Sequence, residues 1–395
     1  MYDVIVIGAR CAGSPTAMLF ARQGYRVLLL EKAKFPQDTL SSHYLHTQGV
    51  ALLNRWGLLD KLRATGCQPI TRQVYEAAGV RVEGFSLPID GLRTTYAPRR
   101  YVLDPVLADG AVAAGVEFRQ SCAVNDLVYE DDRVVGVRYT TPAGQQSTER
   151  ARLVVGADGM RSLVARKAGA PYVIEHARLT CVYYSYWAGV PADFELYERP
   201  GRWVGVLPTN DDLTLLMTYF PQSDFGAVRK SVEPAYLDTF RTTAPELYER
   251  MRAGERVEQM YGTGHQENFF RKAYGPGWAL VGDAVTHKDS ITARGITEAF
   301  VQAQSLTDHI GPNLHDDRAL KSALRRYENE LGGETLSHYQ GALNVAELKP
   351  EGRTEMLRKL VGHQEQIDRY FSTLSGAISI DDFYNEELLT LLDQS

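Results

Sequence analysis

The sequence predicts an α/β fold: a parallel doubly wound core, an inserted β-sheet and a helical C-terminal segment. Three observations predict it. Apolar runs at Val4–Ile7, Leu153–Val155 and Trp278–Val281 each lead into a glycine turn, with an acid at Asp158 and Asp283. Such unbroken runs are the mark of strands buried on both faces of a parallel sheet. Between them, residues 72–99 and 173–261 change to β character, while 313–395 reads as helices.

Taken in order, the chain opens on Asp3-Val4-Ile5-Val6-Ile7-Gly8-Ala9-Arg10-Cys11-Ala12-Gly13. Gly8 permits a tight turn, and Gly13 lets the next helix, about 14–23, pack closely on the strand. That helix N-terminus offers free N–H groups and positive dipole to a phosphate. A second strand, 26–30, ends on Glu31, an acid placed to accept hydrogen bonds from a ribose. Arg10 stands where the G-x-G-x-x-G fingerprint has its middle glycine. An ordinary βα turn is therefore the competing reading of this segment.

The polar stretch Phe35–His46 reads as a loop lining a site. Its His43 and His46 lack a visible third metal ligand nearby. Helices are expected at 48–56 and 58–65. Asp104-Pro105 reads as an N-cap with proline at the first helical position, opening a helix to about Ala114. Residues 116–118 form a strand, and 124–129 with 134–140 a hairpin. Gly156-Ala157-Asp158-Gly159 turns into a helix with Ser162 near its start. Val182-Tyr183-Tyr184-Ser185-Tyr186-Trp187 is an aromatic strand, followed by strands at 203–207 and 213–220 and one helix over 234–253. Gly295 opens a helix through about His309.

Composition bounds the function. The chain has 395 residues, 44% hydrophobic and 23% charged, with net charge −6. These values are ordinary for a globular protein, and the unclustered basic residues argue against nucleic acid as main partner. Four widely spaced cysteines form no metal or redox pair, so a reducing cytoplasm is expected. No signal peptide and no transmembrane segment are expected. No metal site is expected.

One ligand across all three strand ends would explain why each turn offers backbone N–H groups or an acid. Here Gly8-x-x-x-x-Gly13 with Glu31, Asp158-Gly159-x-x-Ser162-x-x-Arg166, and Gly282-Asp283 resemble the three fingerprints of FAD-dependent monooxygenases. These are the para-hydroxybenzoate hydroxylase-like flavoproteins, a superfamily that also holds flavin halogenases and geranylgeranyl reductases. The resemblance covers about 1–330. It implies a Rossmann-like FAD-binding domain from 1–72, 99–172 and 262–330. A substrate-binding β-sheet domain would comprise 73–98 and 173–261, with a helical segment at 331–395.

By position, the resemblance implies that Gly8, Ala9, Arg10, Gly13 and Ser14 face the pyrophosphate. Glu31, with Lys32, would lie at the adenosine ribose. Ser41, Ser42, Arg100, Asp158, Gly159, Gly282 and Asp283 would contact the cofactor, and Gly295 and Ile296 the flavin. Tyr184, Tyr186 and Trp187, with Tyr183, would face an apolar or aromatic substrate. His43 and His287 are candidates for polar contacts at the flavin. The implied reaction is hydroxylation or epoxidation with O2, through a flavin C4a-hydroperoxide. NAD(P)H or an external flavin reductase partner would supply electrons. Oligomeric state is left open.

Three departures bear on this. Ser290 replaces a proline, which would loosen the loop beside the flavin. The halogenase W-x-W-x-I-P signature is broken at Gly205 in Trp203–Pro208, and residues 66–79 hold no lysine, which disfavours halogenation. A reductase of isoprenoid double bonds and a non-catalytic flavin-binding redox module remain as alternatives.

Overall fold

The computed structural model describes residues 1–393, apart from the Glu334 side chain; the last two residues of the expected 331–395 segment lie outside it. Its core is a sheet whose parallel strands are Trp278–Leu280, Gln146–Gly156, Tyr2–Ile7, Val27–Leu30 and Glu117–Arg119, in that order. Val4–Ile7 and Val27–Leu30 are buried throughout, as expected of strands with layers on both sides. Register decides what this sheet can hold. Leu30 pairs with Ile7, Ile7 with Gly156, and Gly156 with Leu280. Four strand ends therefore stop in one row, and Gly8, Glu31, Ala157 and Val281 emerge side by side.

Gln146–Gly156 is longer than its apolar run implies. Its first half pairs antiparallel with Arg133–Thr140, the second arm of the expected hairpin, and its second half joins the parallel sheet. Polar alternation over Gln146–Arg150 marks the half that is solvated on one face.

A second sheet runs Thr180–Ala188, Leu213–Pro221, Arg202–Pro208, Phe194–Arg199, Gln73–Ala77 and Val80–Gly84. Strands from within 73–98 and 173–261 thus meet in one sheet through a parallel pairing of Phe194–Arg199 with Gln73–Ala77, while Tyr172–His176 pairs with Asn268–Arg271 and Thr95–Tyr96 with Pro69–Ile70 outside it. One face packs beneath helices Val232–Thr243 and Pro245–Ala253. The other carries Tyr184, Tyr186, Met217 and Tyr219, and shares an apolar cluster with helices of the C-terminal segment. Those helices dock through a buried ion pair, Arg353 to Glu198, to which Tyr75 also donates a hydrogen bond of 2.9 Å.

Two expected helices are corrected. The first begins at Arg100, not at Pro105, and runs Arg100–Ala113 with Pro105 inside it. Asp104 is no cap: its carboxylate is fully buried and ion-paired. The expected helix 234–253 is two helices, parted at Ala244. The residue before a proline avoids the α region, and Ala244 takes φ −137°, ψ 66°.

Candidate active site

The four aligned strand ends bound a cavity of about 530 Å³. Its wall brings together Gly8, Arg10, Glu31, Lys32, Ser41, Ser42, Arg100, Asp158, Gly159, Gly282, Asp283, Gly295 and Ile296. It runs from Glu31 and Lys32, beside the core sheet, to Asp289 and Ser290, which touch the second sheet. Asp289 accepts a 2.7 Å hydrogen bond from Thr180, and the Ser290 hydroxyl lies 2.9 Å from that of Tyr219.

Charge at the first turn is set by a residue that local reading mistakes for a cap. Asp104 accepts from Arg100 Nε at 2.9 Å and from Arg10 Nη1 at 3.1 Å. Two guanidinium groups share one carboxylate, so this part of the wall carries net positive charge. Burial pushes the Asp104 carboxyl up, against the pull of both arginines. Cys11 Sγ lies 3.6 Å from Asp104, and burial raises its thiol to about 12, which leaves it an un-ionised packing group.

Of the residues expected at the pyrophosphate, Ala9, Gly13 and Ser14 stand behind the cavity wall. The Ala9 N–H donates to Glu31 at 2.8 Å, and the Ser14 hydroxyl donates to the Ala9 carbonyl at 2.8 Å. A Cβ on Gly13 would fall 1.7 Å from the Gly8 carbonyl oxygen, so helix and turn touch backbone to backbone. The Asp158 carboxylate accepts from the Ser162 hydroxyl at 2.5 Å and from Leu163 N–H at 2.6 Å. It caps the short helix behind the turn. Asp283 stays exposed on the wall.

The wall also holds groups that the sequence reading passed over. Gln302 accepts from the Gly282 N–H at 2.6 Å. Lys288 and Glu298 form a buried ion pair, with Arg294 Nε 3.4 Å from the same carboxylate. Their signal was readable: Glu298 and Gln302 are polar residues four apart on an otherwise apolar stripe of the helix Gly295–Ile310. The loop at Ser290 is not loosened by the missing proline. Its hydroxyl donates to Gln266 at 2.5 Å, and Asp289 caps Ile291 N–H at 3.2 Å.

Does this wall suit a pyrophosphate-bridged dinucleotide? A Cβ at Gly159 or Gly295 would meet nothing within 4 Å, so a ligand can lie close to the backbone at both. Thr286 Oγ1, on the wall, is buried without a hydrogen-bond partner among the described residues. Arg10, Arg100 and the start of the helix Gly13–Arg22 gather positive potential at one turn. The donors fit.

The model of the FAD binding domain family matches residues 1–330. The chain belongs to that family. FAD is therefore its cofactor, and NAD(P)H is the family's typical electron donor. Among curated relatives, a digeranylgeranylglycerophospholipid reductase of Methanosarcina acetivorans is 30% identical over 76% of this chain and 72% of its own. A 1H-pyrrole-2-carbonyl-[peptidyl-carrier protein] brominase of Pseudoalteromonas luteoviolacea is 25% identical over 78% and 77%. Among solved structures, the flavin-dependent brominase Bmp2 superposes with a TM-score of 0.85 at 20% identity, over 99% of this chain and 97% of that one. The Pseudomonas aeruginosa protein PqsL, a probable FAD-dependent monooxygenase, gives 0.70 at 19%, over 95% and 100%. These two likenesses show the fold. Among the described residues, no helix is long and apolar enough to cross a membrane.

Beyond the FAD cavity, strand alternation divides the expected aromatic wall. Tyr184 and Tyr186 lie on the face shared with Tyr44 and Met217. Trp187 lies on the opposite face, where its indole N–H donates to Tyr236 at 3.1 Å. Tyr183 also leaves the wall and packs near Phe220. The two histidines differ as well. His287 is tied to the Glu267 carbonyl and stacks on Phe269 at the cavity wall. His43 is fully buried, with Nε2 2.5 Å from the Tyr186 hydroxyl and Nδ1 without a partner among the described residues. Burial lowers its imidazole to about 3, so it works as a neutral group with one donor and one acceptor nitrogen.

Two predictions follow from this geometry. Arg10→Ala removes one of two cations sharing Asp104, and the FAD dissociation constant rises about tenfold, ~1.4 kcal/mol. Fluorescence titration of apoprotein reads it, and unchanged affinity would make Arg10 a tolerated surface residue. The second concerns Asp289, whose carboxyl burial raises to about 6 from 3.8. A raised folded-state value means the folded chain holds the proton more tightly, so this group's contribution falls as pH rises from about 4 to 6. Relative to wild type, Asp289→Asn therefore gains up to about 3 kcal/mol between pH 4 and 7. Parallel denaturant-unfolding profiles for the two proteins would refute it.

Proposed function

We propose that the chain is an FAD-dependent monooxygenase that hydroxylates or epoxidises a bulky apolar or aromatic small molecule, in the reducing cytoplasm. FAD, when bound, supplies the redox chemistry with O2. The chain's residues supply position. The observation that carries the reading is the unpaired Nδ1 of His43, beside two tyrosines and next in sequence to the cavity-lining pair Ser41-Ser42.

The physical argument is one of unmet hydrogen bonding. A buried polar group without a partner costs about 1–3 kcal/mol. A purely hydrocarbon chain resting on the Tyr184/Tyr186 face would leave that cost in place. A ring bearing a hydroxyl would remove it by pairing with Nδ1, while its π-face packs against the tyrosines. That chemistry describes an electron-rich, oxygen-substituted aromatic ring, which is a suitable acceptor for an oxygen atom. On this reading a bulky remainder enters between Tyr184 and the C-terminal helices, whose apolar side chains here are buried against that face.

A second reading is favoured by one observation, the 30% identity to a digeranylgeranylglycerophospholipid reductase. On that reading the same apolar cluster would hold a prenyl chain, and a double bond would be saturated. The two differ in what His43 recognises.

Binding discriminates them. With the FAD-loaded protein, absorbance perturbation of the flavin is titrated with a bicyclic phenol and with the same ring lacking its hydroxyl. The phenol is expected to bind about tenfold more tightly to wild type, and equally with its analogue to His43→Leu. Tighter binding of prenyl chains than of either ring, unaffected by His43→Leu, would favour the reductase reading.

A further inference from the structure

The loop between Asp38 and His43 is held at both ends by a contacting pair of side chains, Arg99 at the start of the helix Arg100–Ala113 and Tyr186 of the second sheet. At its start, the Asp38 carboxylate accepts from Arg99 Nε at 2.8 Å and from Nη2 at 2.5 Å. At its end, His43 Nε2 lies 2.5 Å from the Tyr186 hydroxyl. The two ends are linked directly, because the Arg99 guanidinium sits 3.7 Å above the centre of the Tyr186 ring. Asp38, Arg99, Tyr186 and His43 therefore close a circuit. Inside it lie Thr39, Leu40, Ser41 and Ser42, all four on the wall of the FAD cavity.

Nothing in the loop's own backbone would hold it so. It forms no helix or strand over 36–43, and His43 adopts φ 62°, a left-handed conformation that a non-glycine residue keeps only when its surroundings impose it. The Leu40 side chain is exposed. The anchors, by contrast, are buried: the Arg99 side chain is 7% exposed and Tyr186 1%. Arg99 is fixed from behind by Glu258, at 2.8 Å, and its backbone N–H donates to Asn210 at 3.0 Å. A desolvated guanidinium on a tyrosine face, with Nε and Nη2 both donating to Asp38 Oδ2, combines a cation–π contact with charge-assisted hydrogen bonds.

We propose that the Asp38–Arg99–Tyr186–His43 circuit is a clasp that retains FAD. It ties one wall of the FAD cavity to Arg99, at the start of the helix Arg100–Ala113, and to Tyr186 of the second sheet, so FAD leaves only when the clasp opens. Arg99 and Tyr186 are positioning residues in this account, acting on FAD through Thr39–Ser42. By linkage, any ligand that engages His43 or Tyr186 changes FAD affinity, and FAD changes its affinity by the same factor. The inference concerns cofactor retention and is independent of which reaction the enzyme performs.

The test is the rate of FAD release from the loaded protein, followed by the fluorescence gained when FAD is freed on dilution. Tyr186→Phe keeps the ring and removes the hydroxyl. Arg99→Lys keeps the charge and loses the fork and the stack. Each is expected to speed release about tenfold. Because both open one circuit, the double variant is expected to release FAD far more slowly than the product of the two effects implies. Tyr183→Phe, on the same strand but the other face, is expected to release at the wild-type rate. Circular dichroism and thermal unfolding of the apoproteins confirm that the fold is kept. If Arg99→Lys does not fold, Tyr186→Phe alone carries the test. Release within twofold of wild type from folded Tyr186→Phe would overturn the clasp, as would fully multiplicative effects in the double variant.

Discussion

The structure depends on a register. Leu30, Ile7, Gly156 and Leu280 are paired in one row across four parallel strands. A slip of one residue in any pairing would turn that strand's side chains to the opposite face and withdraw its turn from the row. The register is held where backbone meets backbone. Helix Gly13–Arg22 starts so close to the Gly8 carbonyl that only glycine fits at Gly13. From this follow the cavity, its glycine-lined wall and the juxtaposition of residues as distant in sequence as Glu31 and Asp283.

Electrostatics then adapts the row to a doubly charged ligand. The fingerprint position that usually carries a glycine here carries Arg10, which does not obstruct the cavity because Asp104 draws it aside. One buried carboxylate under two guanidinium groups leaves surplus positive charge at the wall, in a setting where water screens it little. At the other end, burial raises the Asp289 carboxyl, while the Lys288–Glu298 ion pair with Arg294 keeps that part of the wall charged.

What the sequence revealed follows what is local. Continuous apolar runs ending in glycine are signals contained in a few residues, and they located the core strands and the turns that meet at the cavity. Long-range partners were invisible. Asp104-Pro105 has the form of a helix cap, but Asp104 pairs with Arg100, four residues before it, and with Arg10, 94 positions away. Alternation along Thr180–Ala188 was readable and separates Tyr184 and Tyr186 from Tyr183 and Trp187. Which face packs against the C-terminal helices and which against the helices Val232–Thr243 and Pro245–Ala253 depends on how the sheet docks. Ser290 looked like a loosened loop because its tethers, Gln266 in a loop and Tyr219 on a strand, are distant in sequence. Ala244-Pro245 is a local signal, and it divides the single helix expected over 234–253.

The proposed monooxygenase function requires that bound FAD and O2 put one oxygen atom on a phenolic ring. Isotope incorporation addresses it most directly. The FAD-loaded enzyme, supplied with NAD(P)H or a flavin reductase, is given a phenol that it binds, under ¹⁸O2, and the product is weighed by mass spectrometry. The account predicts one ¹⁸O atom in each product molecule. A product that forms without oxygen, has gained two hydrogens and carries no label would contradict it.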